Sequence, residues 1–170
     1  MQSTSERRSK RMVLGLVAIG ASVAITACTS SSEGPTSKDA GARLSKDATW
    51  LLTTMQTSLK APERYTVTDD GSTDSQCGSG KHKRTFAANM KVPASPNAHT
   101  ALTLDAGDVS GLLASRGYEP DTGKGEVRKS DNRYVEVLFN KKERTRITVT
   151  LTAHGVPTLD YALTGTTDCL

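Results

Sequence analysis

Aromatic residues are scarce in this chain: two Phe, one Trp and four Tyr among 170 residues. A sugar-cleaving cleft generally needs more aromatic surface than that, so glycoside hydrolysis gains no support, although paired carboxylates meet only in the fold. Long apolar runs are missing as well. Met12–Ile25 is 14 residues, short of the roughly 20 that a membrane-spanning helix requires. An excess of one charge is lacking once the first 27 residues are set aside. The whole chain has 22 basic and 18 acidic residues, but residues 1–27 hold four of the former and one of the latter, Glu6. The remainder carries 18 against 17, a formal +1. It offers no broad field for nucleic acid or an anionic membrane, and nucleic acid is not an expected partner. No Gly-x-Ser-x-Gly elbow occurs, which removes the serine hydrolases built on it. Cysteine is sparse and odd in number: Cys28, Cys77 and Cys169.

What is present begins with Arg7, Arg8, Lys10 and Arg11, followed by the apolar run and then Ile25-Thr26-Ala27-Cys28. A basic start, a short apolar stretch and small residues before a cut are the parts of a secretory signal peptide. Ile25-Thr26-Ala27-Cys28 resembles the lipobox of bacterial lipoproteins. That resemblance implies cleavage between Ala27 and Cys28 and a diacylglycerol thioether on Cys28. The expected location is therefore the outer face of the cytoplasmic membrane, with the lipid as anchor. Arg7-Arg8 is followed by further charge rather than apolar residues, so general secretion is expected over the twin-arginine route. With Cys28 given to lipid, Cys77 and Cys169 remain as a disulfide pair, the usual fate of exported thiols. The alternatives are two free thiols or a catalytic Cys. On the chain-entropy account the bond contributes roughly 4–5 kcal/mol before strain.

The expected organisation is a signal peptide at 1–27, a tether at 28–42 and a single domain at 43–170. Thr29–Gly41 is rich in small polar residues, Gly and Pro, and buries too little apolar area to offset its ordering entropy. Leu44, Ala48, Leu51, Leu52, Met55 and Leu59 recur at three- and four-residue steps and predict a helix, with Asp39 as N-cap and Ala61-Pro62 as its end. Trp50 beside that stripe reads as a half-buried packing residue. A strand is predicted at Tyr65–Thr68, a turn-rich stretch at Asp69–Gly80, and a strand at Arg84–Val92 with Phe86, Ala88, Met90 and Val92 on one face. Leu102 and Leu104 suggest a short strand before a second helix capped by Asp105 and ended by Gly117. The last third reads as an antiparallel meander. Glu126–Lys129 leads to a turn at 130–132, and Val135, Val137 and Phe139 share one face of the next strand. Ile147, Val149, Leu151 and Ala153 face inward, with Arg146, Thr148, Thr150 and Thr152 outward. After a turn at 154–157, Leu159, Tyr161 and Leu163 alternate. The fold class expected is α+β, an antiparallel sheet with two amphipathic helices on one face.

Cys77-Gly78-Ser79-Gly80-Lys81 superficially resembles a phosphate loop but has His82 where Ser or Thr belongs. His82, His99 and His154 are scattered without metal-ligand spacing. Asp69, Asp70 and Asp74 share a turn but lack the alternating ligands of a calcium loop. No metal, cofactor or catalytic residue is expected. Two basic clusters remain, Lys81, Lys83 and Arg84 with His82, and Lys141, Lys142, Arg144 and Arg146. They read either as solvated strand ends or as a patch for a cell-wall polymer, lipid headgroups or an acidic protein. Together the lipobox, tether and Thr-rich domain resemble small actinobacterial lipoproteins of unknown function, a resemblance specific only at Ile25–Cys28. The lack of a catalytic motif and the presence of a tether lead to the expectation of a membrane-anchored, non-enzymatic interaction module with an envelope protein or cell-wall polymer as partner. A carrier or sensor of a small apolar ligand is the alternative, and an exported hydrolase the third reading.

Overall fold

The structure, a computed structural model, describes residues 34–93, 98–121, 128–130, 132–154 and 158–170. The signal stretch, Cys28 with its lipobox, the first part of the tether, Glu126, Asp131 and residues 155–157 lie outside them. Helix α1 (Ser37–Ser58) forms where apolar positions recur at helical spacing, and Leu44, Ala48, Leu51, Leu52 and Met55 are buried. Its N-cap is Thr36 rather than Asp39. The Thr36 hydroxyl accepts from the Asp39 N–H at 3.2 Å and donates to the Asp39 carboxylate at 2.7 Å. This places an acid in the first turn and satisfies a free N–H, both favourable at a helix start. The helix thus takes up residues 37–42 of the stretch expected as tether. Beyond the C-cap, Leu59, the chain turns left-handed at Lys60 (φ 51°) and reaches Ala61-Pro62.

The other elements are β1 (Thr66–Asp70), β2 (Ser75–Gly78), β3 (Lys81–Lys83), β4 (Thr85–Pro93), α2 (Ala98–Ala114), β5 (Glu119–Pro120), β6 (Arg128–Ser130), β7 (Arg133–Asn140), β8 (Thr145–Ala153) and β9 (Thr158–Thr167). Among the described residues the class is α+β, two helices with an antiparallel sheet. The sheet order is β1-β4-β9-β8-β7-β5, with β6 also on β7, and β2 and β3 form a separate hairpin. Of the stretch expected as turn, Asp69 and Asp70 belong to β1 and Ser75–Gly78 to β2, while β3 follows it. Cys77 and Cys169 lie at disulfide distance, their Cα atoms 5.8 Å apart.

Residues 98–104, including Leu102 and Leu104, belong to α2 and not to a strand, and Asp105 lies inside the helix instead of capping it. A two-residue alternation is too short to distinguish the two periods, and Leu102 also stands one heptad before Val109. The helix ends as expected at Gly117, where φ is +83°. Tyr118 N–H donates to Leu113 C=O at 3.1 Å and Gly117 N–H to Ala114 C=O at 3.0 Å. These are the paired bonds of a Schellman ending, which needs a left-handed residue.

One core joins Leu44, Leu51, Leu52 and Met55 of α1 and Val109 and Leu113 of α2 to Phe86, Met90, Val92, Leu138, Ile147, Val149, Leu151, Leu159, Tyr161 and Leu163 of the sheet. β4, β8 and β9 alternate as expected. β7 does not: its buried positions are Glu136, Leu138 and Asn140, while Val135, Val137 and Phe139 lie on the other face, partly exposed. Both halves of this strand's alternation contain apolar residues, so its frame is set by its neighbour. Leu138 pairs with Ile147, which pairs with Gly165 beneath α1, and a register slip would turn every side chain over.

Gly165 marks the closest approach of α1 to the sheet. A Cβ there would stand 2.7 Å from Leu44 Cδ1. Gly165→Val should cost about 1–3 kcal/mol, read as a shift in the urea midpoint. Adding Leu44→Ala should return part of that loss. Strictly additive costs would show that the new side chain strikes something else.

Candidate functional site

The two basic clusters come to the same end of the domain, on either side of the segment that follows β9. His82 and Leu170 exchange backbone hydrogen bonds of 2.8 and 2.9 Å, Thr167 N–H donates to Arg84 C=O at 3.0 Å, and Asp168 N–H donates to Arg144 C=O at 2.8 Å. The arginines of these clusters are engaged in structure. Arg84 Nε reaches Asp74 at 2.8 Å, Arg144 Nε reaches Asp168 at 3.2 Å, and Arg146 Nε reaches Asp121 at 2.8 Å. Arg146 also lies over the Phe139 ring, 4.9 Å from its centroid. Lys81, Lys83, Lys141 and Lys142 are exposed and make no ion pair among the described residues.

The beginning of α1 lies at this end too. A Cβ on Gly34 would stand 3.9 Å from Arg144 Cδ, and Arg84 packs directly on Gly41, where only a residue without a side chain fits. The Arg84 guanidinium, with a smaller contribution from the Ser37 hydroxyl, holds Asp74 below the usual carboxylate range. Asp69 and Asp70, the other carboxylates of that turn, accept from the Gly71 and Ser72 N–H groups at 3.0 and 2.9 Å. The three acids thus close a turn and hold an arginine. Among the described residues no group of three or more His, Cys, Asp and Glu is arranged to hold a metal. His154 meets Asp160 at 3.0 Å and His82 lies on β3. The side chain of His99 lies outside the description.

A cleft of about 510 Å³ adjoins the basic end, lined by Arg43, Arg116, Asn140, Lys141, Lys142 and Glu143 among others. Asp47 is wholly buried and receives Arg43 Nε at 2.9 Å and Arg116 Nη1 at 3.2 Å. Burial pushes its carboxyl up, opposed by the two guanidiniums. Arg116 stacks over Trp50, 4.1 Å from the ring centroid, so Trp50 is a half-buried packing residue that also seats a cation. Glu119 and Asp121 line the same cleft, which therefore presents charge of both signs. The Arg43–Asp47 spacing of four along a helix is a readable signal. Arg116 joins them from 69 residues away, and no sequence signal carries that.

Between α2 and the sheet lies a polar group that sequence reasoning missed. Glu136 accepts from the Ser110 hydroxyl at 2.6 Å and the Tyr134 hydroxyl at 3.4 Å. Among the described residues, Asp105 Oδ2 and the Tyr161 hydroxyl are buried without a hydrogen-bond partner. Burial, aided by Asp108, pushes Asp105 up to about 6, and burial drives the Tyr161 hydroxyl far above its ordinary range. Two carboxyls and two phenols converge here, but beneath a helix rather than in a cleft that a substrate could enter. A scan against protein-family models finds no match, and searches of curated proteins and of solved structures find none.

The Asp105 shift has a defined sign. Its folded pKa is raised from 3.8 to about 6, so the folded state holds the proton more tightly than the unfolded chain. The stability this provides is complete below about pH 4 and is lost as the pH rises to about 6. The loss is on the order of 3 kcal/mol, from 1.36 kcal/mol per pH unit. Asp105→Asn should flatten that decline and be the more stable protein at pH 7, as followed by urea unfolding across pH. Asp47, shifted the same way, leaves a residual slope in the variant. Identical slopes in the two proteins would show that the Asp105 carboxyl is solvated.

Proposed function

We propose that this chain is exported, cut before Cys28 and held by lipid on Cys28 at the outer face of the cytoplasmic membrane, where its folded part serves as a non-enzymatic interaction module. The observation that carries this reading is the arithmetic of the cysteines. Cys77 and Cys169 lie at disulfide distance, so Cys28 is the cysteine of three outside that pair, and it stands at the end of Ile25-Thr26-Ala27. A paired Cys77–Cys169 fits an oxidising compartment.

In this reading both helices cover one face of the sheet and the opposite face is the binding face. α1 contacts β4, β8 and β9, and α2 contacts β5, β7 and β8. The other face carries Val135, Val137 and Phe139 beside Thr148, Thr150 and Thr164. Partly exposed apolar side chains beside a row of threonines suit an envelope protein that lies against the sheet. The carrier alternative needs apolar space between helices and sheet. Leu51, Leu52, Met55, Leu113, Leu138 and Leu151 fill that space, which favours the interaction module. The hydrolase reading needs convergent carboxylates in an open cleft; Asp105 and Glu136 are buried, and of the acids that line the cleft, Asp121 is held by Arg146 at 2.8 Å.

Cells expressing the wild-type chain and supplied with an alkyne-tagged fatty acid should yield a labelled protein, and Cys28→Ala should yield none. An unlabelled wild-type protein, or label that persists in Cys28→Ala, would overturn the tether.

A further inference from the structure

We propose that the cleft between the end of α2 and the β7–β8 turn binds a free α-amino acid, its carboxylate laid across Arg43 and Arg116 and its ammonium set against Glu143. This is a small-molecule site apart from the open face of the sheet, and it does not depend on a lipid at Cys28.

Asp47 accepts from the two arginines on separate oxygens, from Arg43 Nε on Oδ2 at 2.9 Å and from Arg116 Nη1 on Oδ1 at 3.2 Å. One guanidinium matches the charge of one buried carboxylate, so the second is surplus to it. Each gives an N–H to Asp47, and its others have no acceptor among the described residues. The two side chains are 34% and 24% exposed, and both line the cleft. Neither is loose: Arg43 is held at helical spacing from Asp47, and Arg116 lies over the Trp50 ring, 4.1 Å from its centroid. A shared carboxylate keeps them neighbours. A guanidinium offers parallel N–H groups that match a planar carboxylate, and groups already held in place bind with little further loss of freedom.

The rest of the lining decides what kind of carboxylate fits. Asp121 is held by Arg146 at 2.8 Å. The two arginines, with Lys141 and Lys142, then stand against Asp47, Glu119 and Glu143, a formal +1. So even a balance does not suit a polyanion; it suits a ligand that carries both charges. Lys141, Lys142 and Glu119 are exposed, where water screens them. Glu143 is half-buried and has no ion-pair partner among the described residues. Burial pushes the Asp47 carboxyl up and the Glu143 charge adds to that push, which puts Glu143 on the arginine side of the cleft. Asn140 holds it there. Its Nδ2 donates to Arg116 C=O at 3.0 Å and its Oδ1 accepts from Glu143 N–H at 3.0 Å. Pro120 and Phe139 give the lining an apolar part for the ligand's side chain. The volume of about 510 Å³ falls within the span of small-molecule sites, roughly 300–1,000 Å³.

The test is isothermal titration of the purified full-length chain at pH 7 with each of the common α-amino acids in turn. At least one should bind with a Kd below about 1 mM. The same compound without its ammonium, or with its carboxylate amidated, should bind about tenfold or more weakly. Arg116→Gln should abolish binding, with urea unfolding as the check on its fold. Glu143→Gln lies in a turn and leaves Asp47 and both arginines in place, so it carries the test if Arg116→Gln does not fold. It should weaken the amino acid about tenfold, while the deaminated acid binds at least as well as before. Absence of binding by every amino acid would overturn the proposal. Equal affinity for an amino acid and its deaminated acid would overturn it in favour of a simple anion site. Undiminished binding of the amino acid by Glu143→Gln would overturn the place given to the ammonium.

Discussion

The pairing of β9 with β4 on one side and β8 on the other is the interaction on which the rest depends. The first register runs from Thr85–Thr166 to Pro93–Thr158, the second from Thr145–Thr167 to Ala153–Leu159. Residues 159–166 of β9 are therefore paired on both flanks. α1 seats Leu44 over its Gly165. The segment after it carries Cys169 to Cys77 and pairs Leu170 with His82. Without β9 the sheet would fall into β1–β4 and β5–β8, joined only by the helices. The basic clusters owe their proximity to the same strand, because one precedes β4, the other precedes β8, and β9 lies between them.

Charge inside the domain is handled unevenly. Asp47 has two arginines, one of them fixed by Trp50, so its burial comes with partners as such groups require. Glu136 has two hydroxyls. Asp105 keeps an oxygen with none among the described residues, and an unmet buried polar group costs about 1–3 kcal/mol. The cost falls on α2, the helix that packs over Glu136 and Tyr161, and makes its seat the least satisfied polar surface described in the core. Among the described residues nothing comparable lies under α1, whose buried side is apolar apart from the paired Asp47.

What was readable in the sequence was periodic and local. The strict alternation of β8 and of β4, the helical stripe from Leu44 to Met55 and the Gly117 ending each need only neighbouring residues to be recognised. The N-cap shifted because Thr36 and Asp39 are both capping residues three apart, and the reciprocal bond between them chooses the earlier one. β7 could not be oriented from its own residues, since Val135-Val137-Phe139 makes as good an apolar face as Tyr134-Leu138 and only Ile147 across the strand decides. Leu102 and Leu104 fit a strand or a helix. The clustering of Lys81 with Lys141 and of Asp47 with Arg116 depends on strand order, which local patterns do not encode. Cys28, on which the location of the protein turns, is a matter of motif alone.

The central position of β9 has a temporal consequence. A chain made from its N-terminus completes β4 about 70 residues before β9 emerges, a delay on the order of 4–15 seconds at ordinary rates of synthesis. For that interval β4 has β1 on one edge and nothing on the other, and α1 has no Gly165 to lie on. The nascent chain is thus kept in an unfinished state by its own topology until its final strand arrives.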